Sequence, residues 1–288
     1  LGDMLRDRCT RFGARTAMLY PEQGTFKSLS YADLWNHVRA YAGVLRELGL
    51  KRGDRIALQS ENCVEWAILD WAARCLGIVV VPIYPTLPPD QSQFIVTDSE
   101  AKLVVSGSAE QADKVEGMGL ATILLRGSPD SVAGKAEALP EALSLEDLNA
   151  EIDQCHLDDV CTFIYTSGTT GNPKGAMLTH GNFLHVCKHA HEQLELWRED
   201  DVFLTFLPMS HVYERVAGQC LPIYLGASLG YSKGLITLAN DMLAVKPTIL
   251  LCVPRFLEAT MDKIIDGTKK LPPIRQKLFN LAHAQGIR

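Results

Sequence analysis

Segments with the 3.6-residue period of a helix alternate with short apolar runs of strand length along almost the whole chain, and few folds accommodate that pattern. It predicts an α/β protein of layered, largely parallel sheets flanked by helices. Residues 31–48 place Leu34, Val38, Tyr41, Leu45 and Leu48 on one helical face, with Ser30 as N-cap and Gly49 as the stop. A turn at 51–54 then leads to a strand at 55–59, a helix over roughly 62–76 and an apolar strand at 78–83. The same reading gives helix 89–98, strand 102–105, helix 109–116 and strand 121–125. From 160 it gives strand 160–165, helix 180–197, strand 202–206, helix 213–225, strand 227–231, helix 235–244 and strand 248–252. Helices at 255–266 and 272–285 follow. Between the two series, residues 127–143 lose periodicity and read as a surface connection.

Composition narrows the classes. A chain of 288 residues, 47% hydrophobic and 22% charged, can bury a substantial core as one large domain or two smaller ones. A net charge of −6 leaves no basic footprint for nucleic acid. The eight cysteines (9, 63, 75, 155, 161, 187, 220 and 252) include no C-x-x-C pair, and several fall in apolar runs. That is the pattern of reduced, core-filling thiols in a cytoplasmic protein. The opening octet is polar and helix-like, not a secretory signal. Lacking an initiator Met, it reads as trimmed at the front, and Ile287–Arg288 reads as a cut. The best apolar run, Gly77 to Ile83, is strand-length and carries a proline, so a soluble chain is expected. Peripheral membrane contact and oligomeric state stay open.

The segment richest in chemistry is Phe163-Ile-Tyr-Thr-Ser-Gly-Thr-Thr-Gly-Asn-Pro-Lys-Gly175. An apolar strand ends at Tyr165, and the next ten residues hold three glycines, four hydroxyl side chains and one lysine. Glycines let backbone N–H groups approach a ligand closely, and a concave run of such donors binds phosphate oxygens. Thr166, Ser167, Thr169 and Thr170 add hydroxyl donors, and Lys174 adds a mobile positive charge. This reads as a polyphosphate cradle, the alternative being a surface loop of small polar residues. It is not the P-loop NTPase pattern, since Gly175 follows Lys174 where that pattern needs Ser or Thr. Gly117-Met-Gly119 is only a fragment of a G-x-G-x-x-G.

The string YTSGTTGNPKGAMLTHGN (165–182) closely resembles the phosphate-binding signature of the adenylate-forming superfamily, which includes acyl-CoA synthetases, luciferases and peptide-synthetase adenylation domains. By that resemblance, Thr166, Ser167, Gly168, Thr169, Thr170, Gly171 and Lys174 would hold the β- and γ-phosphates of ATP, with Thr166 also a contact for Mg²⁺. The reaction implied is attack of a carboxylate on the α-phosphate to give acyl-AMP and pyrophosphate, with positioning and charge neutralisation as the protein's contribution.

Two further segments resemble the long-chain fatty acyl-CoA synthetase branch: His211-Val-Tyr-Glu-Arg-Val216, and Pro247-Thr followed by Val253-Pro-Arg255. The resemblance implies a substrate pocket drawing on His211, Val212, Arg215 and Arg255, with His211 among the catalytic residues beside Thr166 and Lys174. Taken alone, His211 would be a satisfied helix-start histidine, and Arg255 is equally a surface residue at a helix start. Tyr84-Pro-Thr-Leu87 resembles a family turn and is expected to be structural. His185 and His189, spaced i, i+4, have metal-ligand spacing but lack a glutamate between them in metalloprotease order, so a solvated helix is the better reading. Asp200 and Asp201 read as turn residues before a strand.

The resemblance covers residues 1–288 as part of the N-terminal AMP-binding domain, with a subdomain connection near 127–143. The aromatic-Gly-x-Thr-Glu segment, the ribose-binding Asp and the C-terminal lid domain with its lysine do not appear. Such a piece is expected to have little adenylation activity alone. The implied activity is that of an ATP-dependent long-chain fatty acid–CoA ligase, with ATP, fatty acid and CoA as substrates. Alternatives are an acyl-AMP ligase that loads a carrier protein, and a non-catalytic nucleotide-binding module.

Overall fold

The computed structural model describes residues 1–138, 143–166, 172–194 and 196–286. It divides into two units, Leu1–Leu250 and Leu251–Arg288. The first unit is built on two sheets. The strands of the six-stranded sheet are β3 (Arg55–Gln59), β4 (Val79–Ile83), β5 (Leu103–Ser106), β6 (Thr122–Leu124), β7 (Val160–Thr166) and β8 (Lys174–Thr179), in the order β6-β5-β3-β4-β7-β8. All neighbours there are parallel except β7 and β8. The four-stranded sheet holds β1 (Thr16–Glu22), β2 (Thr25–Ser30), β9 (Val202–Thr205) and β10 (Ser228–Tyr231), in the order β2-β1-β10-β9, with only β1 and β2 antiparallel. The expected α/β class holds, as mixed sheets flanked by helices.

Local chemistry explains the clearest elements. After helix α1 (Gly2–Phe12), helix α2 (Tyr31–Glu47) starts at a capping box in which Ser30 accepts from the Asp33 amide and Asp33 accepts from the Ser30 amide. Its apolar stripe, Leu34, Val38, Tyr41 and Leu45, is buried. Gly49, at φ +79°, supplies the left-handed residue that ends it. Helix α3 (Val64–Cys75) is buried on nearly every face, Glu65 alone being half-exposed. Such a helix must be apolar all round or pair what polar groups it has, and Asp70 and Arg74, both fully buried, are its exceptions.

Several expectations need correction. The hairpin β1–β2 lies where no strand was expected; its two-residue turn, Gln23-Gly24, has both φ values positive, as the twist of a tight hairpin requires. The connection near 127–143 contains a helix, Val132–Ala138, and residues 139–142 lie outside those described. A further helix, Leu145–Asp153, is capped by Ser144, which accepts from the Asp147 amide. The helix expected over 180–197 ends at Gln193. The strand expected at 248–252 shrinks to a bridge between Ile249 and Phe203, because Pro247 lacks an amide donor and the amides of Thr248 and Ile249 both converge on the Val202 carbonyl.

Six of the eight free cysteines are buried among apolar side chains. The second unit consists of the helices Pro254–Lys269 and Pro273–Gly286. Among the described residues no helix is long and apolar enough to cross a membrane.

Candidate active site

The glycine-rich segment joins two antiparallel strands. Strand β7 ends at Thr166 and β8 begins at Lys174, and these two residues are direct cross-strand partners, as are Tyr165 and Gly175. Side chains directly opposite in a ladder project from the same face, so the hydroxyl of Thr166 and the ammonium of Lys174 emerge together, both exposed, at the neck of the loop. Sequence reasoning treated 166–175 as one loop. The strand pairing narrows it to the few residues between Thr166 and Lys174, of which Ser167, Gly168, Thr169, Thr170 and Gly171 lie outside the described residues.

The neck is braced from below. The Tyr165 hydroxyl donates to Asp98 Oδ2 at 2.6 Å, and burial together with that carboxylate raises its pKa. The ring lies over Gly175, where a Cβ would stand 2.9 Å from Tyr165 Cζ. Gly175 is therefore required for packing, a role other than the phosphate approach expected of it. Gly175→Ala should push the anchored ring aside and destabilise the unit by about 1–3 kcal/mol, measured by urea unfolding. Stability equal to wild type would show that the ring yields freely.

A second wall comes from the segment after β9. Asn62 donates through Nδ2 to the Leu207 carbonyl (2.7 Å) and accepts from the Met209 amide through Oδ1 (2.8 Å), clamping this segment to the six-stranded sheet. His211 is exposed; its amide donates to the Pro208 carbonyl, and its Nδ1 accepts from the Tyr213 amide at 3.1 Å. A neutral ring in that bond carries its proton on Nε2. Between Phe206, Pro208 and Ser210 on one side and Ser60, Tyr84 and Thr86 on the other lies a cavity of about 150 Å³. It opens just beyond the carboxyl ends of β3, β4, β9 and β10, the place where open α/β sheets bind ligands. The buried Ser210 hydroxyl on its wall has no protein partner. The Tyr84-Pro-Thr turn is closed by Leu87 N donating to Tyr84 O, and Gln59 Nε2 holds the same carbonyl.

The helix expected from 213 is a π-helical stretch, Glu214–Cys220, running into an α-turn, Leu221–Leu225. Val212 is half-buried. Arg215 does not stand in an open pocket as expected. It is fully buried, with Nε 3.1 Å from Asp70 Oδ2, Nη2 on Asp70 Oδ1 and Nη1 on the Thr162 hydroxyl. Arg255 stands, exposed, in the first turn of Pro254–Lys269 in the second unit.

His185 and His189 are exposed, with ring centroids 3.9 Å apart and planes tilted by 35°, and no third metal-ligating side chain joins them among the described residues. Asp201 is a turn residue, accepting from the Arg198 amide and the Thr248 hydroxyl. Asn62, Asp70 and Thr162 were missed from sequence, since nothing in a lone Asn, Asp or Thr announces a long-range partner.

Two sheets meeting at a cavity beyond their strand ends, with a glycine-rich segment framed by a hydroxyl and an ammonium, define an α/β protein with a candidate phosphate site. The chain belongs to the AMP-binding enzyme family, whose model matches residues 5–282. It is 30% identical over 282 residues to long chain acyl-CoA synthetase 3 of Arabidopsis thaliana, covering 90% of this chain and 42% of that protein. It is 34% identical over 252 residues to long-chain-fatty-acid–CoA ligase 6 of Homo sapiens, covering 79% and 35% respectively. The chain thus spans less than half the length of these curated relatives. Among solved structures, ATP-bound MatB from Rhodopseudomonas palustris superposes with a TM-score of 0.75 at 26% identity, over 88% of this chain and 50% of that one. The AMP complex of O-succinylbenzoate coenzyme A synthetase from Bacillus subtilis gives 0.76 at 20% identity, over 94% and 65%, a likeness of fold.

Proposed function

We propose that this chain is the N-terminal AMP-binding part of a long-chain fatty acid–CoA ligase and carries its grip on the ATP phosphates. The single observation behind this reading is the Thr166–Lys174 cross-strand pair at the neck of the glycine-rich loop. Family membership and the long-chain ligases among the relatives support the substrate class.

In the proposed reaction a carboxylate oxygen of the fatty acid attacks the α-phosphorus of ATP. An acyl–phosphate bond forms, the bond to the bridging oxygen breaks, and pyrophosphate leaves. Lys174 and the loop donors neutralise the charge that gathers on the leaving group, and a fixed array of donors needs no reorganisation to do so. The thiol of CoA then attacks the acyl carbon and displaces AMP. His211 and Val212 line the acyl side. Among the described residues no three Asp, Glu, His or Cys side chains converge as a metal site. The exposed Thr166 hydroxyl is a hard oxygen donor and would share Mg²⁺ with the phosphate oxygens of the nucleotide, where the ion would supply further charge neutralisation.

Lys174→Ala is expected to weaken MgATP binding by about 10- to 100-fold, the worth of a charge-assisted hydrogen bond, and Thr166→Ala by less. Isothermal calorimetry on the 288-residue chain measures both. Unchanged affinity in the double variant would remove the basis of the reading. Pyrophosphate release by the full-length enzyme against acids of graded length identifies the acyl substrate.

A further inference from the structure

We propose that Arg215 is a positioning residue: by joining Asp70 on α3 to Thr162 on β7, it fixes the His211 segment against the strand that enters the phosphate loop. The inference rests on the ligase reading above.

Arg215 lies one helical turn beyond His211, its amide donating to the His211 carbonyl at 3.1 Å. The π-helical stretch uses wider turns than an α-helix, so residues four and five apart share a face. That face presents Arg215, Gln219 and Cys220 to α3. Gln219 Nε2 reaches Asp70 Oδ2 at 3.5 Å, and the Cys220 sulfur accepts from Arg74 Nη1 at 2.8 Å. A guanidinium is a flat fork with donors on two edges. One edge of Arg215 takes the Asp70 carboxylate, which leaves Nη1 to reach across to the Thr162 hydroxyl. That hydroxyl spends its own proton on the Val80 carbonyl of β4 at 2.6 Å, so it is committed as the acceptor. Thr162 sits in register with Val80 on β4 and Leu178 on β8, four residues before Thr166. One bonded path therefore runs from His211 through Arg215 and Thr162 to the loop neck.

Stability alone does not call for this arrangement. Asp70, Arg215 and Thr162 are all fully buried, and apolar residues of similar volume commonly hold such elements together equally well. What directional bonds add is one defined register between the two walls of the site. A substrate that touches both walls depends on that register, and misplacement by about 1 Å can cost roughly a hundredfold in rate.

The test compares two ligands by calorimetry on the 288-residue chain. MgATP relies mainly on the loop, whereas palmitoyl-sulfamoyl adenosine, a stable mimic of the acyl-adenylate, needs the His211 wall as well. Thr162→Val removes the acceptor while keeping the shape, and Arg215→Lys keeps a charge near Asp70 without the second arm. Each should weaken the mimic by about tenfold and MgATP by less than about threefold, with Thr162→Ser restoring wild-type affinity. Thermal melting verifies folding. If Thr162→Val does not fold, Thr162→Ala, which leaves space for a water at Nη1, joins Arg215→Lys in the comparison. Equal losses for both ligands, or no loss for either, would reduce Arg215 to a packing role and overturn the proposal. A wild-type chain that binds neither ligand would instead refute the ligase reading, and this proposal with it.

Discussion

Asp70→Asn is expected to destabilise the first unit by on the order of 3–5 kcal/mol, a large share of the roughly 5–15 kcal/mol that holds a typical domain together. The reason is arithmetic of charge. Arg74 and Arg215 are both fully buried, and Asp70 is the carboxylate that both engage: Arg74 Nη2 lies 2.9 Å from Oδ2, and Arg215 binds both oxygens. Arg74 is further enclosed by the rings of Trp71 and Phe183, at 5.1 and 4.6 Å, so little water can reach it. Neutralising Asp70 leaves two cations in a low-dielectric core with aromatic faces and a thiol for company. The attraction to those faces is worth only about 1–2 kcal/mol each, less than the charge loses on leaving water. A triple variant, Asp70→Met with Arg74→Met and Arg215→Met, should recover most of the loss, because removing a buried ion cluster whole costs much less than breaking it. Urea unfolding of the single and triple variants checks both statements. A loss below about 1 kcal/mol in Asp70→Asn would mean that water screens the cluster after all.

The elements legible from sequence were those whose cause is local. Helix α2 carries its own capping box and apolar stripe, and strands β3 and β4 are short apolar runs bounded by turn residues. The hairpin β1–β2 was hidden because Pro21 interrupts the strand and Gln-Gly is a weaker turn signal than Asn-Gly. Strand β8 was hidden for a different reason: a strand beginning directly at the lysine of a recognised loop motif looks like more loop. The candidate phosphate loop was marked by residue types, since glycines, hydroxyls and a lysine together have few other uses. Arg215 was misplaced because its partners, Asp70 and Thr162, are 145 and 53 residues away, and no periodicity reports contacts at that range. Residue types mark the candidate loop, while the buried network behind it depends on the topology.

Between pH 5 and 8 the stability gap between Glu214→Gln and the wild type should widen by about 1.4 kcal/mol per pH unit, reaching on the order of 4 kcal/mol, and then stay constant. Glu214 is only 1% exposed, and neither carboxylate oxygen has a hydrogen-bond partner. Its carboxyl rests in the space left by Gly218, where a Cβ would come within 2.5 Å of Oε1. Burial pushes its pKa up to about 8 from 4.5. The folded chain therefore holds this proton over the whole interval in which the unfolded chain has released it. Folding takes up a proton there, and stability must fall as pH rises through the interval. Other groups titrate in the same range. Buried His180, lowered to about 3, acts in the opposite sense below its ordinary value. It is present in wild type and variant alike, so the difference between the two curves isolates Glu214. Glutamine keeps the shape of the protonated acid and cannot ionise, which makes it the faithful mimic of the low-pH form. Paired urea titrations from pH 5 to 9 give the measurement. A gap that stays flat across that range would show Glu214 ionised and solvated in the folded chain, with the π-helical stretch open to water beside it.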